Sequence, residues 1–146
     1  MAIKTFEKQL TANDTGESGA HQAGIHVPKS QTELIAFLPS LDASEKNPDA
    51  WITCVDEEGQ IWKFRYIYYN NRLHEPTGTR DEYRITHMTA FFRAAGARLG
   101  DTFRLSGVKH GSNYNIAVMP PSETREPVEG APSQQRIRLR GWRQVH

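Results

Sequence analysis

The sequence predicts a mainly β fold, an open barrel of seven or eight short strands with two short helices closing its ends. Three observations carry that expectation. Short stretches alternate apolar and polar residues with the period of a strand. Clusters rich in Gly, Pro, Asn and Asp separate those stretches. Only two segments space their apolar residues as a helix does, and no strand–helix–strand rhythm appears. A chain of 146 residues suits one domain over 1–146, long enough to bury a real core.

The elements follow in order. Residues 3–10 alternate as an edge strand does (Ile3 and Thr5 against Lys4, Phe6, Lys8 and Leu10). Residues 11–24 carry Gly16, Gly19 and Gly24 and read as a loop, and residues 24–27 as a short strand ended by Pro28. Ser30 with Glu33 has the spacing of a capping box. It opens a helix through Leu34, Ile35, Phe37 and Leu38 that Pro39 stops. A polar linker over 40–50 leads to a hairpin of 51–55 and 61–69 around Asp56-Glu-Glu-Gly59. Residues 83–86 read as a strand. Met88, Phe91, Phe92, Ala95 and Leu99 then mark a helix over 86–99. Strands over 102–106 and 114–119 flank a turn at 109–113. Residues 120–135, rich in Pro, Glu, Ser and Gln, read as mobile, and 136–140 as a last strand. Trp51, Trp62, Tyr66 and Tyr68 are expected to fill the core.

Composition narrows the function classes. Hydrophobic residues at 37% and charged residues at 24% are ordinary for a soluble domain. Eighteen Lys and Arg against 17 Asp and Glu leave a net charge of +1, which argues against a charge-driven nucleic-acid coat. The lone Cys54 has no disulfide partner and reads as a small buried residue in a reducing compartment. The sequence has no apolar run of about 18 residues and no signal pattern, so the expectation is a cytoplasmic protein without a membrane partner.

Catalysis leaves little trace. There is no Gly-x-Ser-x-Gly elbow, no Gly-rich phosphate loop ending in Gly-Lys-Ser/Thr, and no Asp/Glu-x-Lys triplet of the kind that common Mg²⁺-dependent nucleases use. The six histidines are scattered, and His21 and His26 lack helical metal spacing. The expectation is no catalytic residue, no metal site and no cofactor. A nuclease with an unrecognised metal site and a barrel binding sugars or peptides remain as alternatives.

Two polar loops are richer. On strand geometry Arg80, Glu82 and Arg84 share one face, with Asp81 and Tyr83 on the other. Arginine forks match guanine O6 and N7, and a carboxylate accepts from a cytosine amino group. Arg-Glu-Arg therefore suits a G·C-rich duplex; the alternative is a solvated face of i, i+2 ion pairs. The first loop offers Asn13, Asp14, Thr15, Ser18, His21 and Gln22, with glutamine suited to adenine. Its alternative is an ordinary flexible hairpin. Arg136, Arg138, Arg140 and Arg143 form a basic edge that either meets phosphates or protects an edge strand.

Two long motifs carry a family resemblance. They are Leu10-Thr-Ala-Asn-Asp-Thr-Gly16 continuing to His21-Gln-Ala-Gly24, and Ile67-Tyr-Tyr-Asn70 with Thr79-Arg-Asp-Glu-Tyr-Arg-Ile-Thr86. In these the chain resembles the N-terminal effector domain of EcoRII-type restriction endonucleases, clearly over about residues 8–28 and 66–87. The resemblance implies a plant-type DNA-binding pseudobarrel whose two arms clasp the major groove of double-stranded DNA. It places His21 and His26 on DNA-contacting positions of the first arm and Arg80, Glu82 and Arg84 on base-reading positions of the second. Tyr83 falls on a further DNA-contacting position and Lys8 on a basic one; Gln22 and Asp81 complete the candidate DNA-binding set.

Gly78 and Tyr83 stand where the family relative has lysines, and His26 replaces a tyrosine, so some phosphate contacts differ. The retained set implies a CCWGG-like target (W being A or T). The implied protein is a type II restriction enzyme of the bacterial cytoplasm that uses this module to regulate cleavage by a covalently linked nuclease domain. UbaLAI-like enzymes, with the module ahead of a separate catalytic domain, provide the architecture. On that expectation the chain stops at an interdomain boundary, and Mg²⁺ belongs to the nuclease domain alone.

Overall fold

In the computed structural model, which describes residues 3–16, 24–108, 113–121 and 141–145, eight strands form one sheet that nearly closes on itself. The strands are β1 (Ile3–Gln9), β2 (Ile25–Val27), β3 (Asp49–Val55), β4 (Ile61–Tyr69), β5 (Glu82–Thr86), β6 (Thr102–Val108), β7 (Asn113–Met119) and β8 (Trp142–Gln144). Their order is β2-β5-β4-β3-β7-β6-β1-β8, antiparallel throughout except for the parallel β3–β7 pair. Short helices α1 (Ala12–Thr15), α2 (Thr32–Phe37), α3 (Asn71–His74) and α4 (Thr89–Ala95) lie in the connections. The mainly β pseudobarrel is as expected, with four short helices among the described residues where two were expected.

The two edge strands meet without pairing. The Trp142 indole N–H donates to the His26 carbonyl at 2.9 Å, and Gln31 Nε2 donates to the Trp142 carbonyl at 3.2 Å. A side chain thus satisfies a β2 backbone acceptor that an open edge would leave to water. Glu7, buried on β1, holds Arg104 of β6 through one carboxylate oxygen and Arg143 of β8 through the other. Inside lie Phe6, Phe37, Phe64, Phe91, Phe103, Tyr66 and Tyr114, with edge-to-face pairs such as Phe37–Tyr114 at 5.2 Å. Tyr66 and Tyr68 are buried as expected, and so is Cys54, whose thiol burial pushes up to about 12.

Several expectations need correction. β1 is not an edge: it pairs with β6 on one side and β8 on the other, and β2 and β8 are the edges. Residues 11–24 are not all loop, because Thr11 caps α1 in a reciprocal capping box with Asp14. The box expected at Ser30 and Glu33 is absent. Gln31 N–H closes a turn onto the Pro28 carbonyl, which delays the helix to Thr32. The polar 40–50 segment already enters β3 at Asp49. Residues 86–99 hold a shorter helix, since Thr86 stays in β5 and Gly96 ends α4 at φ +65°. Leu99 is exposed, Trp62 half-buried, and Trp51 55% exposed. Alternation explains Trp51: Ile52 and Cys54 take the inward positions of β3. The expected mobile stretch 120–135 and the strand 136–140 lie almost wholly outside the described residues.

Candidate nucleic-acid interface

The site is built on the antiparallel pair β2–β5, in register Ile25↔Ile85, His26↔Arg84 and Val27↔Tyr83. Each strand is entered from one of the two polar loops. Because the strands run oppositely, the loops join this ribbon at opposite ends, with residues 17–23 ahead of Gly24 and residues 70–81 ahead of Glu82. Gly24 packs so tightly on β5 that a Cβ there would lie 2.7 Å from the Ile85 carbonyl oxygen. Between the two loop roots runs a groove of about 460 Å³ lined by Gly24, Tyr69, Arg80, Glu82, Arg84, Thr86 and His87.

The predicted alternation on β5 holds. Glu82 stands between two guanidinium groups, 3.5 Å from Arg80 Nε and accepting from Arg84 Nη1 at 3.1 Å. Desolvation raises the Glu82 carboxyl, but the Arg84 hydrogen bond and both arginine charges outweigh it, and the group lies below its ordinary value. Arg80 also lies over the Tyr69 ring at 3.7 Å. A guanidinium has five donors, so one spent on Glu82 leaves others facing the groove. Opposite, Asp81 accepts from the Tyr68 hydroxyl and pairs with Lys29, and those hydrogen bonds, Lys29 first, lower its carboxyl. Tyr83 stacks on Tyr68 with centroids 4.2 Å apart and planes 5° from parallel. Asp81 and Tyr83 therefore anchor the strand from the side away from the groove.

The root of the second loop is rigid. Asn70 is fully buried; its amide donates to the Ala43 and Glu45 carbonyls, and its oxygen accepts from Asn47 N–H. Asn71 Oδ1 accepts from Arg80 N–H at 2.8 Å, and Arg72 N–H donates to the Arg80 carbonyl. Gly78 presses against the same turn: a Cβ would fall 2.1 Å from the Asn71 carbonyl oxygen. This backbone path has no room for a side chain at 78. Sequence reasoning missed Asn70, Asn71, Tyr69 and Lys29 as supports. Tyr69 and Asn70 stood in the motif Ile67-Tyr-Tyr-Asn70 but were given no role, and Tyr69 had a further signal in its outward position on β4.

The first loop is rooted differently. Lys8 Nζ lies 2.5 Å from Asp14 Oδ2, both side chains buried, and Asp14 also accepts from Thr11 N–H. Gly24 N–H donates to the Asp14 carbonyl, drawing the two ends of the loop together. His26 is exposed on the groove side; desolvation lowers its imidazole, Glu82 opposes, and Arg84 and Lys8 add to the lowering. His21 and Gln22 lie outside the described residues. Among the described residues no three His, Cys, Asp or Glu stand together as a metal would need, and no helix is long and apolar enough to cross a membrane.

Fold and site together define a DNA-binding-domain pseudobarrel of the plant B3 kind. The structure of the Arabidopsis FUS3–DNA complex matches with a TM-score of 0.55 and 25% identity, over 77% of this chain and 93% of that one. A B3 domain-containing protein of Oryza sativa subsp. japonica is 30% identical over 77% of the chain and 53% of its own length. The family described as restriction endonuclease EcoRII, N-terminal, matches over residues 1–96, and the chain belongs to it. Type II restriction enzyme EcoRII of Escherichia coli is 39% identical over 56% of the chain, which spans only 20% of that enzyme.

Proposed function

We propose that this chain is the sequence-specific double-stranded DNA-binding effector module of a type II restriction endonuclease. Its two loops clasp the major groove of a short G·C-rich site, with CCWGG the best candidate, and binding regulates a covalently linked nuclease domain in the bacterial cytoplasm. The module itself uses no cofactor; Mg²⁺ serves the nuclease domain. One observation carries the reading: Arg80, Glu82 and Arg84 project together into the groove between the two loop roots. There the arginines take guanine O6 and N7 and Glu82 takes a cytosine amino group, while His26 adds a contact from its place beside Arg84. The candidate DNA-binding set also includes His21 and Gln22 of the first loop.

Selection of bound duplexes from a random library tests this, followed by gel-shift titration of Arg84→Ala on the selected duplex. The expected loss is about 1–3 kcal/mol of specific affinity with an unchanged melting temperature. A library that yields no enriched sequence, or an Arg84→Ala variant that binds the selected duplex like the parent, overturns the reading. Incubating the pure chain with Mg²⁺ and that duplex separates it from the nuclease alternative, which requires cleavage.

A further inference from the structure

The groove does not end at Arg84. Thr86 and His87 line its far end, and from there the outward face of the barrel continues across β4 to β3. In register, Thr86 lies opposite Arg65 and Arg65 opposite Trp51, while Lys63 lies opposite Thr53 one step further. Trp51 is the one large aromatic among the exposed hydrophobic residues described, at 55% exposure. Its indole meets the His87 ring edge-on at 5.0 Å. His87 holds a left-handed backbone, φ +66°, and its Nδ1 lies 2.9 Å from Thr86 Oγ1. That conformation is uncommon for a residue with a side chain, and here it turns the ring back against Trp51. Lys63 is exposed on the same face, and Arg65 is half-exposed beside Asp49.

Resting on the DNA-binding reading above, we infer that Trp51, Lys63 and His87 form a second contact strip for the sugar–phosphate backbone of the same duplex, beyond the base pairs read by Arg80, Glu82 and Arg84. Strand spacing sets the reach: two strands across and two residues along put Trp51 about 12 Å from Arg84. At 3.4 Å of rise per base pair, that is about three to four base pairs of duplex. The chemistry fits a backbone and not a base edge. An indole presents a flat apolar face for a deoxyribose and one N–H for a phosphate, and a lysine ammonium is a point charge without bidentate geometry. The strip therefore adds affinity for any sequence, provided the duplex extends far enough to reach it.

Duplexes of two lengths test this: one trimmed to the base pairs specified in the selected sequence, and one extended well past them on both sides, with an extended duplex of unrelated sequence as a third probe. The wild-type chain should bind the extended selected duplex more tightly than the trimmed one. Trp51→Ala should lose about fivefold on both extended duplexes and nothing on the trimmed one. Lys63→Ala should do the same and reduce the salt slope by about one. The extended duplex should quench fluorescence in the wild-type chain but far less in Trp51→Phe, because Trp142 is buried and Trp62 half-buried. The inference falls if Trp51→Ala and Lys63→Ala bind the extended duplexes like the parent, or weaken trimmed and extended duplexes alike. If those variants are silent while Arg84→Ala still loses the selected sequence, the strip fails and the proposed function stands. A wild-type chain that binds none of the three duplexes brings down both.

Discussion

The roots of the two polar loops solve one problem with opposite chemistry. The first depends on a buried charge pair, Lys8 with Asp14, reinforced by the Thr11 capping box. The second depends on neutral groups: the Asn47–Asn70 clasp, the Asn71 hydrogen bond to Arg80 N–H, and the close approach of Gly78. A buried ion pair holds geometry but leaves a costly orphan when one member is removed. An amide network loses its bonds singly and leaves no charge behind. The first root is thus all-or-none, and the second is graded.

The largest expected effect breaks the first root. Asp14→Ala strands the Lys8 ammonium in a buried site and should cost about 3–5 kcal/mol in urea denaturation. The double variant Lys8→Met with Asp14→Leu removes both charges and should recover most of that stability. It also decides what Lys8 does. If its role is only to hold Asp14, the double variant binds duplexes with the wild-type salt dependence. If Lys8 meets a phosphate, affinity for every sequence stays reduced and the salt slope falls by about one.

Gly78→Ala strikes the second root. Its Cβ collides with the Asn71 carbonyl, so the loop must move, at a cost of about 1–3 kcal/mol. Hydrogen exchange should show the loss at the Arg72 and Arg80 amides while the β1–β6 ladder stays protected. Equal loosening of both regions would mean that the root is not independent of the barrel.

The smallest effect concerns the back of β5. Lys29 and Tyr68 lower the Asp81 carboxyl below its ordinary 3.8. A carboxyl whose pKa is lower folded than unfolded adds stability above the unfolded value, and that stability is lost as pH falls through the folded value. Lys29→Met should bring Asp81 back toward 3.8 in a carbon-detected NMR titration, so the variant loses this contribution at a higher pH than the parent. An unchanged Asp81 titration would show that Tyr68 alone sets it.

Much of the interface was legible because a strand repeats every two residues. Once 82–86 reads as extended, Arg80, Glu82 and Arg84 fall on one side and Asp81 and Tyr83 on the other, whatever lies around them. Trp51 was expected in the core because aromatic residues in strands usually fill one, yet alternation gives the inward positions to Ile52 and Cys54. Capping boxes misled for a related reason. Ser30 and Glu33 have the right spacing, but the turn from Pro28 to Gln31 uses those residues first, while Thr11 and Asp14 cap a four-residue helix too short to show periodicity. Helix α3 left no apolar pattern at all, since Asn71 and Asn70 act through hydrogen bonds to distant backbone.

Local chemistry in the chain was enough to specify strands β1 to β7, the turn at Asp56–Gly59 and the charged face of β5, because alternation and turn preference act over a few residues, whereas β8 was not expected. Only tertiary structure decided that β2 and β5 lie side by side and bring both loop roots to one groove. Tertiary structure also decided that Trp142 closes the barrel onto His26, a contact across 116 positions of sequence. Such contacts depend on the relative placement of whole strands, which no short window of residues encodes.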